Sequence, residues 1–298
     1  MILVFGHGQL GQELARTAPA RDVPLTALTH ADADIAERTA VEDAIARHRP
    51  SLVVNAAAYT KVDGAETEVD AARRGNEIGP GVLARACADA GIPLVHLSTD
   101  YVFDGTKTGA YVESDPISPL GVYGRTKAAG ETAVREALRE HVILRTSWVY
   151  GEFGHNFLKT MLRLAATKDE LRVVADQRGC PTSTRDLADA ILRIAPRLMG
   201  RESVFGTYHF AGAGATTWHG FATRIVAAQA PLTGRKPRVT AIATAEFPTA
   251  ARRPANSELD CGLFAKSFGF RARAWAEEAD AVVRAVVTAE RGKAPHVA

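Results

Sequence analysis

Short, nearly uninterrupted apolar runs at residues 2–5, 25–28, 52–58, 94–98, 142–146, 171–175 and 208–211 alternate with stretches of helical periodicity. Strands that are apolar at every position are buried on both faces, as in a parallel sheet covered by helices on each side. The helical stretches fall at 9–18, 39–48, 66–90, 122–139, 156–166 and 184–198. Such alternation predicts βαβ units joined by right-handed crossovers. A chain of 298 residues can hold one large α/β unit or a core with a smaller lobe. Past about residue 150 the strand rhythm thins, and 216–298 reads as helices and loops. Residues 104–121, rich in Gly, Pro, Ser and Asp, form a long loop, a candidate lid or substrate-facing element. Residues 291–298 are expected to fray.

The first run ends in Gly6-His7-Gly8-Gln9-Leu10-Gly11 and leads into a helix. Glycines there permit a tight turn and let a pyrophosphate approach the backbone at the helix N-terminus. A dinucleotide is therefore expected on Gly6, Gly8, Gln9, Leu10 and Gly11. The fold class is α/β, a Rossmann-type doubly wound parallel sheet. Residues 1–150, with the elements of 171–212, are expected to form the dinucleotide-binding domain. The second run ends in Thr29-His30, with Asp32 and Asp34 following. An acid here would bind a ribose 2′-OH, and an Arg a 2′-phosphate. No Arg stands nearby in sequence, so NADH and NADPH both remain open. Ala56, Ala57 and Ala58 close the third run; small residues there admit a cofactor or serve tight packing equally well.

Leu94 to Ser98 delivers Ser98, Thr99, Asp100 and Tyr101 to the carboxyl edge of the sheet, where ligands of doubly wound folds bind. Tyr123 and Lys127 follow, four residues apart and hence on one face of a helix. An ammonium beside a phenol lowers a pKa that starts near 10, giving a proton donor. That order suits a nicotinamide-dependent carbonyl reductase.

Charge argues against some classes. Lys and Arg number 36 against 34 Asp and Glu, so the balance offers no broad attraction to nucleic acid or an anionic membrane. Cys87, Cys180 and Cys261 form no Cys-x-x-Cys, which fits a reducing cytoplasm. The N-terminal residues read as a strand rather than a signal peptide, and no stretch reaches membrane-spanning length. No metal-ligand spacing stands out among the histidines, and no catalytic metal is expected.

Seven blocks carry a resemblance: VVNAAAYTKVDGAE (53–66), HLSTDYVFDG (96–105), PLGVYGRTKAAGE (119–131), ILRTSWVYG (143–151), NFLKTMLRLA (156–165), VVADQRGCPT (173–182) and ARRPANSEL (251–259). In these the chain resembles the dTDP-4-dehydrorhamnose reductases, within the extended short-chain dehydrogenases/reductases. It departs in the glycine turn, which is one residue shorter than the usual GxxGxxG. The resemblance implies reduction of the 4-keto group of dTDP-4-dehydro-L-rhamnose by NADPH or NADH. It implies Thr99 on the keto oxygen, Tyr123 as acid, and Lys127 on the nicotinamide ribose. It extends the cofactor set to Asp34, Ile35, Tyr123 and Lys127. It places Val62, Asp63, Thr99, Asp100, Tyr123, Trp148 and Arg253 at the sugar nucleotide, with residues 213–298 and part of 151–170 as a substrate-binding lobe. On residue type alone Trp148 reads equally as a core aromatic, and Asn156 reads as a helix N-cap before it reads, like Gln177, as a ligand. A homodimer is compatible with the resemblance. So are a 4-ketoreductase of another dTDP-6-deoxy sugar, a sugar-nucleotide epimerase, and a non-catalytic regulatory subunit like that of methionine adenosyltransferase.

Overall fold

The structure, a computed structural model, describes residues 1–293. β1 (Ile2–Phe5), β2 (Leu25–Leu28), β3 (Leu52–Asn55), β4 (Leu94–Thr99), β5 (His141–Thr146) and β10 (Gly206–His209) form one sheet. Its order is β10-β5-β4-β3-β1-β2, and every neighbouring pair is parallel. The order reverses between β1 and β3. Chain leaves those two strands in opposite directions there, opening a crevice at their carboxyl ends.

Side-chain alternation along β1 shows why such strands are apolar throughout. Ile2 and Val4 face a cluster that includes Leu10 and Leu14 of α1 (Gln9–Thr17) and Leu187, Ile191 and Ile194 of α7 (Thr184–Met199). Leu3 and Phe5 face the opposite cluster, with Val41 of α2 (Arg38–His48), Leu83 of α4 (Gly79–Ala90) and Val134 of α5 (Val122–Ala137). Every residue of β1 and β3 is buried.

A separate apolar cluster joins α6 (Phe157–Thr167), β7 (Glu170–Val174), α8 (Trp218–Thr233) and α10 (Trp275–Lys293). Here the sequence reading needs amendment. The run at 171–175 is a strand, but it does not enter the main sheet. β7 pairs in parallel with β12 (Arg238–Ile242) in a two-stranded sheet, and its burial alternates residue by residue. One of its faces is solvated, whereas a strand inside the main sheet would be covered on both. The β12 partner lies in a region read as helix and loop. Fraying is expected from residue 291, but α10 continues to Lys293; residues 294–298 lie outside the described residues.

The helix expected over 66–90 is interrupted. A short α3 (Val69–Arg73) passes into a π-helical turn, Arg74–Ile78, before α4 begins. The wide turn carries Asn76 inward, where it is fully buried. Its Oδ1 accepts from the Tyr59 N–H at 2.9 Å, and its Nδ2 donates to the Tyr59 carbonyl and to Thr126 Oγ1.

Candidate active site

A cleft of about 1050 Å³ runs along the carboxyl ends of the strands. Of the residues singled out from the sequence, Gly6, Gly8, Gln9, Leu10, Asp34, Ile35, Ala56, Ala57, Ala58, Val62, Thr99, Asp100, Tyr123, Lys127 and Trp148 all line it. Gly11, Asp63 and Arg253 do not appear on its wall.

The glycine turn is shaped for a close-lying ligand. Gly6 has φ +105°, and a Cβ there would stand 2.5 Å from the Ala57 nitrogen, so only glycine fits. At Gly8 a Cβ would meet nothing within 4 Å: the backbone is open to the cleft. Gly8 precedes α1, whose N-terminus has no side-chain cap and no acidic residue in its first turn. Uncapped N–H groups at a helix N-terminus suit a pyrophosphate. Gly11 serves packing instead, since a Cβ there would be 2.0 Å from the Gly6 oxygen.

At the other end of this groove the expectation of no nearby Arg is corrected. Arg74, forty residues away in sequence, lines the cleft and donates to Asp34 at 2.8 Å and to Glu37. Burial would raise the Asp34 carboxyl, but the Ala36 N–H and Arg74 hold it below the usual carboxylate range. The signal was invisible in sequence because the π-helical turn brings Arg74 to the end of β2.

Thr99 ends β4. Its hydroxyl donates to Asp100 Oδ1 at 3.0 Å and accepts the Tyr101 N–H at 3.2 Å. Tyr123 stands in the first turn of α5, its ring edge-on to Tyr101 with centroids 5.9 Å apart. Gly124, next in the helix, would place a Cβ 2.2 Å from the Tyr101 carbonyl oxygen. Only a glycine lets α5 approach the end of β4 so closely. Lys127, one turn on, is 2% exposed and donates from Nζ to the Leu97 carbonyl at 2.6 Å.

The pKa relationship expected between Tyr123 and Lys127 is not the one that the cleft sets up. Burial pushes the Tyr123 phenol up to about 12, and the Thr99 hydrogen bond only partly opposes this. Burial also pulls Lys127 down to about 8, with Glu131 opposing. Desolvation outweighs the attraction that sequence spacing alone suggests. The phenol therefore keeps its proton throughout the neutral range.

Beneath the cleft lies a charged network that the sequence reading missed. Glu131, fully buried, accepts from Ser98 Oγ at 2.6 Å, from Arg145 at 2.8 and 2.7 Å, and from Arg135 at 2.7 Å. Glu131 follows Lys127 by one helical turn, which is the only trace of it in the sequence.

Trp148 has φ +48°, in the left-handed region that a bulky residue seldom enters. Its indole stacks on Trp218, with centroids 3.6 Å apart and planes within 8°, and both line the cleft. Asp63 and Arg253 hold each other in a paired contact, Nη1–Oδ1 3.0 Å and Nη2–Oδ2 2.7 Å. Asn156 caps α6, accepting the Lys159 N–H at 3.1 Å, and Gln177 donates to Thr244 at 3.1 Å. The 104–121 loop is tied down, since Tyr111 exchanges backbone hydrogen bonds of 2.7 and 2.8 Å with Glu258 and Asp260. Among the described residues no group of three His, Cys, Asp or Glu side chains is arranged to hold a metal ion, and no helix is long and apolar enough to cross a membrane.

The family model for the RmlD substrate binding domain matches residues 1–288. A dTDP-4-dehydrorhamnose reductase of Sinorhizobium fredii is 46% identical, the match covering 94% of this chain and 95% of the relative. A dTDP-4-dehydrorhamnose reductase structure from Clostridium acetobutylicum has a TM-score of 0.89 at 38% identity, covering 96% of this chain and 99% of that one. The Bacillus anthracis dTDP-4-dehydrorhamnose reductase, solved in complex with NADP, gives 0.88 at 35% identity over 95% and 98%. Fold and cleft define a Rossmann-type α/β protein of the extended short-chain dehydrogenase/reductase class. Within that class the chain belongs to the dTDP-4-dehydrorhamnose reductase family.

Proposed function

We propose that this protein reduces the 4-keto group of dTDP-4-dehydro-L-rhamnose, giving dTDP-L-rhamnose, with NADPH or NADH as reductant. The observation that carries the reading is the convergence of Thr99, Tyr123 and Lys127 on the cleft that the glycine turn opens. In this reading the elements of 1–150, with α7 and β10, hold the cofactor. Residues 213–298, with part of 151–170, hold the sugar nucleotide.

The cofactor, when bound, supplies a hydride to C4 of the sugar. The open backbone at Gly8 and the uncapped start of α1 fit its pyrophosphate. Asp34 and Ile35 line the adenosine end of the same groove. Thr99 turns its hydroxyl to the keto oxygen. Tyr123 gives that oxygen its proton; a phenol near 12 is fully protonated at neutral pH and still far more acidic than the alcohol that forms. Lys127, held on the Leu97 carbonyl, has N–H groups left for the nicotinamide ribose hydroxyls. Val62, Asp100 and Trp148 border the hexose, and Arg253, next to Tyr101, serves the diphosphate with Asp63 as its counter-ion.

The decisive experiment is NMR identification of the product formed from dTDP-4-keto-6-deoxy-L-mannose with each reduced cofactor. Stoichiometric loss of NADPH or NADH and appearance of dTDP-L-rhamnose is the expected result. Faster turnover of a different dTDP-4-keto sugar would reassign the substrate, and a stable hetero-complex without turnover would replace the reading by a regulatory one. Tyr123→Phe should slow turnover by roughly 10²–10⁴-fold with cofactor affinity unchanged. A cytoplasmic location belongs to the same reading, supported by the free thiols of Cys87, Cys180 and Cys261. A homodimer is also part of it, and analytical ultracentrifugation decides that point.

A further inference from the structure

We propose that Glu66 is a positioning residue for the reductase reaction: from the connection after β3 it holds the start of α5, and so fixes where Tyr123 stands in the cleft. The inference rests on the reductase reading above and adds a residue that touches neither substrate nor cofactor in it.

A helix leaves its first N–H groups without acceptors of its own. The N-cap residue commonly answers one of them with its side chain. α5 has no such means, because its N-cap is Gly121. The Val122 N–H instead donates to Glu66 Oε1 at 2.8 Å, across 56 positions of chain. A Cβ at Gly121 would stand 2.6 Å from that same oxygen, so the bare backbone is what admits the Glu66 side chain. The next residue along the helix is Tyr123.

Glu66 is itself anchored. It closes the 3-10 turn Gly64–Glu66, and its N–H donates to the Asp63 carbonyl at 3.3 Å. The Asp63 side chain is held by two nitrogens of Arg253 and by the Ala251 N–H at 3.0 Å. Ala65, between the two acids, is fully buried in a cluster that takes in Val122, with Tyr123 packed against it. Val62, Glu66, Tyr101, Tyr123 and Arg252 line one small cavity. A single short turn thus ties the segment that bears Arg253 to the first turn of the helix that bears the acid.

Elsewhere α5 is fixed toward β4, by the close approach of Gly124 to the Tyr101 carbonyl and by Lys127 on the Leu97 carbonyl. Glu66 supplies a third point of attachment, on the side of residues 62–66. Placement of this kind matters to the rate, since a displacement of about 1 Å at a reacting group costs on the order of 10²-fold.

The test must separate placing Tyr123 from merely capping a helix. Glu66→Ala removes the acceptor, Glu66→Gln keeps an oxygen at the same reach, and Glu66→Asp withdraws it by one methylene. Gly121→Ser in the Glu66→Ala background gives α5 a cap of its own without the tie to residues 62–66. Each protein is followed by thermal unfolding, by turnover of the dTDP-4-keto sugar, by Kd for NADPH, and by the NMR resonance of the Tyr123 ring, identified by its loss in Tyr123→Phe. Glu66→Ala and Glu66→Asp should lower kcat about 10- to 100-fold and shift the Tyr123 resonance, with Kd for NADPH unchanged. Glu66→Gln should bring the resonance back and kcat to within about 3-fold of wild type. The added serine should recover the melting temperature that Glu66→Ala loses, but neither kcat nor the resonance. If Glu66→Ala does not fold, the Asp and Gln variants decide. Recovery of kcat along with the melting temperature, an unmoved resonance in Glu66→Asp, or a Gln variant as slow as the Asp one would overturn the proposal. A wild type that turns over no dTDP-4-keto sugar would strike the reductase reading instead, and the resonance would still decide what holds Tyr123.

Discussion

The Lys127 ammonium donates to the Leu97 carbonyl at 2.6 Å, two residues before Thr99 on the same strand. Helix and strand are thereby locked at the point where both face the cleft. The lysine is fixed by backbone, which no substitution of a neighbouring side chain removes. It is also a charge held almost entirely out of water, and that has a measurable cost.

Lys127 titrates near 8 in the fold and near 10.5 when unfolded, a difference worth about 3 kcal/mol. Its folded pKa is depressed, so below pH 8 the charged form burdens the native state. Between 8 and 10.5 the unfolded chain holds a proton that the folded chain has released, and stability rises with pH. The unfolding free energy of wild type minus that of Lys127→Met should therefore climb by roughly 3 kcal/mol across that window. Urea titrations at several pH values measure it, and a flat difference would contradict the burial argument.

Glu131 and Arg145 form an ion pair with side chains 0% and 2% exposed. Removing one partner strands the other, so Glu131→Ala should cost about 3–5 kcal/mol. Replacing both, as in Glu131→Gln with Arg145→Met, should recover most of that loss. Burial pushes the Glu131 carboxyl up, but Arg145, Ser98 and Arg135 more than offset it and hold it below its usual value. The stability it contributes at neutral pH should be lost only as pH falls below the ordinary glutamate range. Thermal melts of the single and double variants test both points.

Gly179 leaves room for the Trp148 indole, and a Cβ there would sit 2.6 Å from Cε2. Gly179→Ala must displace the ring from Trp218 or distort β8 (Arg178–Gly179). Overpacking of this kind costs about 1–3 kcal/mol. The stacked pair should lose part of its near-UV circular dichroism, and KM for the sugar nucleotide should rise about 10-fold with kcat less affected. An unchanged near-UV spectrum would mean that the ring is not held by this contact.

Arg253 meets Asp63 through two nitrogens of its planar fork. A lysine cannot make that pairing and a diphosphate contact at once. Arg253→Lys should therefore raise KM for the sugar nucleotide roughly 10–100-fold and leave KM for NADPH unaltered. Parallel increases in both constants would place Arg253 elsewhere than at the diphosphate.

Much of this architecture is written locally. β1 and β2 occupy the residues that short apolar runs predict; in β1, covered on both faces, no polar position blurs the pattern. β7 and β12 are harder. They make a two-stranded sheet with a solvated face, and Arg238 to Ile242 carries too few apolar residues to be distinguished from loop. The cleft residues were legible as types in order along the chain. Their ionisation was not, since Tyr123 and Lys127 respond to how much water the fold removes from them, and spacing does not encode that. Arg74 at Asp34 and Glu131 under Lys127 depend on contacts between distant segments, or on burial of a residue type usually found at the surface.

The π-helical turn at Arg74–Ile78 is one residue wider than a regular turn, and that extra residue sets phase. Excising a single position there would restore ordinary winding and close up the wide turn. Arg74 would swing off the end of β2 and Asn76 would lose its hold on both sides of the Tyr59 backbone. Length variation among descendants of this chain should thus be tolerated in its exposed connections and forbidden in the middle of this apparently ordinary helix.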